Sequence, residues 1–220
     1  MNSLGKITEE LINQSPFLRE SISEDLINIS ALARKLKPQI ENHLGEEVKE
    51  GAIVMAIKRL TPGLYLKLNV KIKNVLGDLG DFLVRSGLED FTFYNSSTLN
   101  EKQTKLMKLI HDDNETFFVI CRGVSETTII TSAKFHTEIL EIFEGERMIS
   151  ATENLSSITV KLPVINSEIY GIYYYIMKQL AWDGINIIEV VSTANEFTAV
   201  VHQNDVDRAF RILMQLKRGL

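Results

Sequence analysis

Apolar residues recur at helical spacing through residues 6–60, which places them on one face of each predicted helix. Asn28 is suited to cap one of these helices, Pro38 to restart the chain as another helix, and Gly45 to end it. Three or four short helices joined by brief turns predict a helix-turn-helix or winged-helix module.

Residues 64–75 fit two patterns. Apolar and polar residues alternate there, and this alternation favours a strand with a basic outer face. The spacing of Leu64, Leu68 and Ile72 also fits a helix, so both alternatives stay open. The glycines at 77 and 80 indicate a boundary after this segment.

From Phe82 onward the pattern predicts two copies of one strand-helix-strand-strand-helix unit. The first copy has a strand at 91–94, a helix from Leu99, a hairpin of 117–120 and 127–130, a helix around Ile139 and a short strand at 147–150. The second copy has a strand at 158–162, a helix along 169–180, a hairpin of 185–192 and 197–202, and a helix capped by Asn204.

Residues 163–190, PVINSEIYGIYYYIMKQLAWDGINIIEV, resemble the start of an ACT domain, a ferredoxin-like βαββαβ ligand-sensing module. The resemblance is strongest to the regulatory half of aspartokinases, and it rests on Gly171 and on Gly184-Ile-Asn-Ile187. It covers Ser156–Lys217 well and Phe82–Ile149 more loosely. The implied fold is α+β: a helical, helix-turn-helix-like module at 1–76, a degenerate ACT unit at 81–152 and a second ACT unit at 153–220.

The resemblance also implies a ligand site in the second unit. A loop that runs into a helix N-terminus presents unpaired N–H groups to a carboxylate, and glycine there lets a ligand approach closely. In this role Glu168 would hold an ammonium group. The implied ligand-binding residues are Ile165, Asn166, Ser167, Glu168, Ile169, Tyr170 and Gly171, facing Ile185, Asn186 and Ile187.

Three further expectations come with the resemblance. The first unit's loop, residues 95–99, has no glycine, so the effector, an amino acid, is expected at the second loop. In aspartokinases one unit lends a strand to the other, and 82–85 or 147–150 is the expected lent segment. A homo-oligomer is expected because the edges of such a sheet are commonly paired with another copy.

The distribution of charge suggests a second partner. The chain carries a net charge of −5, yet residues 31–75 hold nine Lys and Arg against four Glu. The candidate DNA contacts are Arg34, Lys35, Lys37, Lys49, Lys58 and Arg59. A solvated helix face, or a surface for dimerisation or protein docking, explains the same charges.

Several chemistries are not indicated. The four histidines have no metal-ligand spacing, no glycine-rich phosphate loop occurs, and Cys121 lies in an apolar run typical of a core. The N-terminus has no secretory signal pattern and no apolar run approaches about 20 residues, which predicts a cytoplasmic protein without membrane contact.

The sequence therefore predicts a regulator with no catalytic residues, metal or cofactor. It would sense an amino acid through the ACT units and pass the signal through the helical module, with DNA as one target. The alternative is an accessory subunit that docks on an amino-acid biosynthetic enzyme such as an aspartokinase and does not bind DNA. An aspartokinase itself is not expected, because residues 1–80 contain neither the Lys-Phe-Gly-Gly-type opening nor the room for a nucleotide-binding domain.

Overall fold

The computed structural model describes residues 3–60, 71–111, 113 and 116–219. The chain divides into two compact units, Met1–Ile72 and Lys73–Leu220. Among the helices of these described residues, none is long and apolar enough to cross a membrane.

The described part of the first unit is helical. Its helices are α1 (Leu4–Asn13), α2 (Pro16–Ser23), α3 (Ile29–Leu44) and α4 (Glu50–Arg59). They share one apolar core, whose buried members are Ile7, Ile12, Leu32, Ala33, Leu36, Ile40, Ile53 and Ile57. The packing of these amphipathic faces stabilises helices that would be marginal in isolation.

Two predicted helix ends are confirmed in α3, and one is wrong. The Asn28 side chain accepts the Ala31 N–H at 3.0 Å, and Gly45 ends the helix in the left-handed conformation at φ 74°. Pro38 lies inside α3 and does not start a helix. Proline removes one intrahelical hydrogen bond, but Leu36 and Ile40 on either side of it are buried in the core, which favours one continuous helix.

The predicted strand at 64–75 is only partly within the described residues. Residues 64–70 lie outside them, while residues 71–77 are helical (α5). For residues 71–75 the strand interpretation is therefore wrong and the helical alternative is correct. Ile72, Val75 and Leu76 are buried, as an apolar helix face requires.

The second unit contains one antiparallel six-stranded sheet and four further helices. In chain order the elements are β1 (Phe82–Tyr94), α6 (Leu99–Ile110), β2 (Phe118–Arg122), β3 (Glu126–Ser132), α7 (His136–Ile142), β4 (Met148–Lys161), α8 (Ile172–Trp182), β5 (Ile187–Ser192), β6 (Glu196–His202) and α9 (Val206–Arg218). We call β1 to α7 the first half of this unit and β4 to α9 its second half. The strand order is β2-β3-β1-β4-β6-β5.

The two central strands, β1 and β4, run through both halves of the sheet. Residues 82–85 pair with 157–160 of β4, and residues 91–93 pair with 148–151. Both segments considered for a lent strand are thus paired across the halves. The short strands predicted at 147–150 and 158–162 are parts of one continuous strand.

Bulges bend both central strands near their middle. The register of β1 against β4 shifts between Arg85 and Leu88, where Gly87 has φ 67°, and again between Leu88 and Asp90. On β4, Asn154 has φ 57°. Bulges increase the local twist of a strand, which is consistent with a curled sheet.

Apolar side chains cover both faces of the sheet. On one face Phe91, Phe93 and Ile129 pack against α6 and α7. The other face buries a smaller cluster, whose members Leu88, Ile130, Leu155 and Val200 come from β1, β3, β4 and β6.

Two local expectations in this unit are wrong. Asn204 lies within a 3₁₀ turn, Gln203–Asp205, and Asp205 occupies the N-cap position of α9. Cys121 is exposed because β2 is an edge strand with a neighbour on one side only. An apolar run in an edge strand does not place every side chain in a core.

Candidate ligand-binding cleft

The predicted ligand loop connects β4 to α8. Residues Val164–Glu168 form a 3₁₀ turn, and Gly171 is the N-cap of α8 with φ 88°. A positive φ of this kind favours glycine, because a Cβ would crowd the backbone. The first intrahelical bond runs from the Tyr175 N–H to the Gly171 carbonyl at 2.9 Å. Within the described structure no side chain caps the N–H groups of this first turn.

Asn166 holds the loop against the hairpin turn between β5 and β6. Its side-chain amide donates to the Pro163 carbonyl at 2.9 Å and to the Ala194 carbonyl at 3.0 Å. The Leu162 N–H donates to the Asn195 carbonyl at 2.8 Å, which adds a second tie. The donors of Asn166 are therefore used by the protein, and its carbonyl oxygen is the atom that remains to accept from a ligand.

A cleft of about 530 Å³ lies at this junction. It is lined by Asn166, Ser167, Ile169, Gly171, Ile172, Tyr173, Tyr174, Thr193 and Ala194. Four of the predicted ligand residues are among these, and they are Asn166, Ser167, Ile169 and Gly171. Among the described residues that line the cleft, none carries a charge.

The other predicted ligand residues lie elsewhere. Ile165, Glu168 and Tyr170 are exposed and outside the lining, so Glu168 is not positioned within the cleft. Ile187 begins β5, whereas the cleft is reached by the turn after Ser192, at the far end of that strand. At about 3.3 Å per residue this strand spans roughly 17 Å. Within one chain, Ile185, Asn186 and Ile187 therefore do not face the loop.

The corresponding loop in the first half already contains a carboxylate. Glu146, from the turn before β4, accepts a hydrogen bond from the Ser96 hydroxyl and another from the Thr98 hydroxyl, each at 2.6 Å. Thr98 is the N-cap of α6. Lys102 in the first turn of α6 lies 3.6 Å from the same carboxylate, whose side chain is only 4% exposed.

These contacts favour the ionised form of Glu146. The hydrogen bonds from Ser96 and Thr98, and to a lesser extent Lys102, hold the pKa of Glu146 below its usual value. A side-chain carboxylate of the protein thus occupies the start of the helix in one half. In the other half, the start of the equivalent helix borders the cleft.

The basic residues predicted to contact DNA are partly paired with carboxylates. Arg34 lies 3.1 Å from Glu50, and Lys37 lies 3.4 Å from Glu41. Glu41 also accepts the Val48 N–H at 2.9 Å, and this bond is the main reason why its pKa is lowered. The remaining four candidates, Lys35, Lys49, Lys58 and Arg59, are exposed. The glutamates divide the positive surface, which weakens the case for a phosphate-binding face.

Sequence spacing did not indicate two ionisable clusters. Glu89, His136 and Glu153 come together on one side of the sheet, with 2.8 Å between His136 Nδ1 and Glu89 Oε2. In a second cluster, burial and then the charge of Glu189 raise the pKa of Asp90 to about 6. These residues lie on different elements, so their proximity depends on the tertiary fold.

The chain resembles known proteins in structure, and not in sequence. No family model and no curated protein matches the sequence, whereas 87 chains of solved structures match. The aspartokinase alpha and beta subunit structure aligns with a TM-score of 0.51 and 13% identity, over 64% of this chain and 99% of that chain.

Two further structures agree. The ligand-free regulatory subunit of aspartate kinase from Thermus thermophilus aligns with a TM-score of 0.51 and 12% identity, over 63% of this chain and 97% of that one. The aspartate kinase of Clostridium acetobutylicum gives a TM-score of 0.53 and 13% identity over 63% of this chain, which spans 34% of that enzyme. The matched part of the chain therefore has the ACT-like fold of aspartate kinase regulatory subunits.

Proposed function

We propose that the chain is a non-enzymatic regulatory protein that senses a free amino acid at the cleft beside Gly171. In this proposal residues 81–152 and 153–220 act as two ACT units, and the helical module at 1–76 passes on the signal. The observation that carries the proposal is the contrast between the two loops. Glu146 supplies a carboxylate to one helix start, and the equivalent start of α8 borders a cleft.

The effector's carboxylate would bind the uncapped first turn of α8. The unpaired N–H groups of that turn and the helix dipole favour an anion there. The Asn166 carbonyl oxygen lies at the same loop and would accept from the ammonium group. The carboxylate and the ammonium group of an amino acid would thus each bind a polar group that carries only a partial charge.

The lining also restricts the effector's side chain. Ile169, Ile172, Tyr173 and Ala194 offer apolar surface, and no charged residue is present among the described lining residues. Burying an unpaired charge is costly, so an amino acid with an uncharged side chain fits better than one with an additional charge. Glu168, being exposed outside the lining, does not change this preference.

We also propose a homo-oligomer. The strands β2 and β5 are the two edges of the sheet, as expected for segments that pair with another copy. Ile185 and Asn186 precede β5 and Ile187 begins it, so these residues would reach a cleft only from a second copy of the chain. Sedimentation velocity at micromolar concentration tests this, and a monomer with and without effector would contradict it.

A thermal-shift screen against the twenty amino acids tests the effector proposal. A ligand at 100 times its Kd stabilises the folded state by about 2.7 kcal/mol. We expect Gly171→Ala to remove the ligand-induced shift, because the new Cβ strains the loop and changes the start of α8.

Gly87→Ala is the matched control. Gly87 also has a positive φ, of 67°, it has open space around it, and it lies outside the cleft. Both variants should lose similar basal stability, and only the first should lose the ligand response. A response that survives Gly171→Ala but disappears in Ser96→Ala and Ser97→Ala would assign the effector to the first loop instead.

The second candidate function is an accessory subunit without DNA binding. The neighbour from Thermus thermophilus is a regulatory subunit of aspartate kinase, and this chain covers 97% of it. In this case the helical module would dock on an enzyme. A purified aspartate kinase catalytic subunit assayed with and without the chain tests it, and an unchanged response to amino acids would contradict it.

A further inference from the structure

Three donor side chains converge where α7 meets the central strands. Glu89 lies on β1, His136 is the first residue of α7, and Glu153 lies beside the bulged residue Asn154 on β4. One donor atom from each lies within 4.8 Å of the others. Glu89 is buried, His136 is partly exposed and Glu153 is exposed, so the cluster opens to solvent on one side.

Two contacts fix the imidazole of His136. Its Nδ1 lies 2.8 Å from Glu89 Oε2, and its ring lies against that of Phe91, with centroids 5.8 Å apart. Its position therefore does not depend on a bound ion. The hydrogen bond to Glu89, then the charge of Glu89 and, less strongly, that of Glu153 raise the pKa of His136.

The donor set matches a borderline divalent ion. One imidazole nitrogen and two carboxylate oxygens suit zinc, whereas magnesium and calcium prefer oxygen donors alone. Donors bound to one tetrahedral zinc at about 2.0–2.2 Å lie roughly 3.3 Å apart. The observed separations, 2.8 Å between His136 Nδ1 and Glu89 Oε2 and at most 4.8 Å within the whole set, lie on either side of this value.

We propose that Glu89, His136 and Glu153 form a binding site for a divalent transition-metal ion, with zinc as the best-suited ion. Three protein donors leave a fourth position open to water or to a further ligand. The ion would tie the start of α7 to both central strands of the sheet. It would therefore stabilise the junction between the two halves of the unit, at a place distinct from the cleft beside Gly171.

Zinc titration of the full chain by isothermal calorimetry tests the proposal. Cys121→Ser is the background, because Cys121 is exposed and a thiolate is itself a metal ligand that would compete for zinc. The protein is first stripped with a chelator, which is then removed. We expect about one equivalent of zinc to bind, and a rise in the unfolding temperature with added zinc.

Removing the Glu153 carboxylate or the His136 imidazole should weaken zinc binding at least about tenfold. Glu153→Gln is the more decisive variant, since Glu153 is exposed and we expect the fold to tolerate its replacement. His136→Ala is checked by circular dichroism for retained folding. His202→Ala is the matched control, because His202 is an exposed histidine on β6 outside the cluster.

The outcomes separate a metal site from a simple ion triad. Loss of binding in both donor variants, with the His202 variant unchanged, supports the site. Absence of zinc binding, or equal affinity in the parent and in Glu153→Gln, would show that Glu89 and Glu153 serve only as partners of a protonated imidazole. Equal loss in the His202 variant would assign the zinc to scattered surface histidines and overturn the proposal.

Discussion

Replacing Glu146 by glutamine tests whether a built-in carboxylate stabilises the first loop. The Glu146 carboxylate accepts two hydroxyl hydrogen bonds, from Ser96 and Thr98, at 2.6 Å each. Glutamine keeps the shape, but it has only one acceptor oxygen and no charge. One hydroxyl therefore loses its acceptor, and Lys102 loses its counter-ion.

The size of the effect follows from these contacts. Hydrogen bonds to a charged group contribute about 1.5–3 kcal/mol each, and the Ser96 hydroxyl can turn to another acceptor. We expect Glu146→Gln to lower the free energy of unfolding by about 1–3 kcal/mol. For a unit of this size, this lowers the unfolding temperature by roughly 3–10 °C.

The dependence on pH has a defined sign. Because the pKa of Glu146 is lower in the folded chain than its ordinary value, the ionised carboxylate stabilises the fold above that ordinary value. This stabilisation is lost as the pH falls through the lowered pKa. The difference between parent and variant should therefore be large at pH 7 and small near pH 3.

Calorimetric unfolding of a double-mutant cycle measures the interaction itself. The cycle combines Glu146→Gln with Ser96→Ala, and we expect a coupling energy of about 0.5–2 kcal/mol. Glu144→Gln is the control, since Glu144 is an exposed glutamate in the same turn. A coupling energy near zero, or equal destabilisation by the Glu144 variant, would refute the idea that Glu146 occupies an anion site.

Two other predictions concern Asp90 and the basic residues. Asp90→Asn should raise stability at pH 7.5 by about 1–3 kcal/mol, because burial and then Glu189 raise the pKa of Asp90 to about 6. The gain in stability should decrease as the pH falls below that value, because Asp90 in the parent then takes up a proton. A gain that does not change with pH, or an equal gain from the exposed-residue control Asp78→Asn, would contradict this. In fluorescence anisotropy with duplex DNA, we expect no binding at low salt, because Glu41 and Glu50 divide the basic surface. Binding that weakens with salt, and loses about one unit of log–log slope for each cation removed, would restore the DNA interpretation.

Local features of the fold could be predicted from the sequence. Asn28 and Gly45 were identified because capping depends on one side chain or one backbone conformation. Gly171 was identified from the resemblance to the ACT domain, and the structure adds that its φ is positive at the start of α8. Periodicity was likewise sufficient to place most of the helices and strands in order.

Features that depend on long-range pairing could not be predicted. Ile185, Asn186 and Ile187 were expected to face the ligand loop, but β5 runs parallel to β4, so its end and not its start lies beside that loop. Glu146 is 50 residues from Ser96, and Glu89 is 47 residues from His136. The contacts of these residues could not be predicted from their spacing in the sequence, because they depend on how the strands of the sheet are paired.

Because β1 and β4 pair along both halves of the sheet, the second unit has no position between its halves at which the chain could be divided without breaking strand pairing. A chain cut near residue 152 would separate residues 82–85 from their partners at 157–160, whereas residues 91–93 would keep theirs at 148–151. Either piece would then expose unpaired backbone along a central strand. A ligand bound in the cleft beside Gly171 should therefore raise the free energy of unfolding of both halves, including the half that holds Glu146. Both halves should unfold on heating in a single transition.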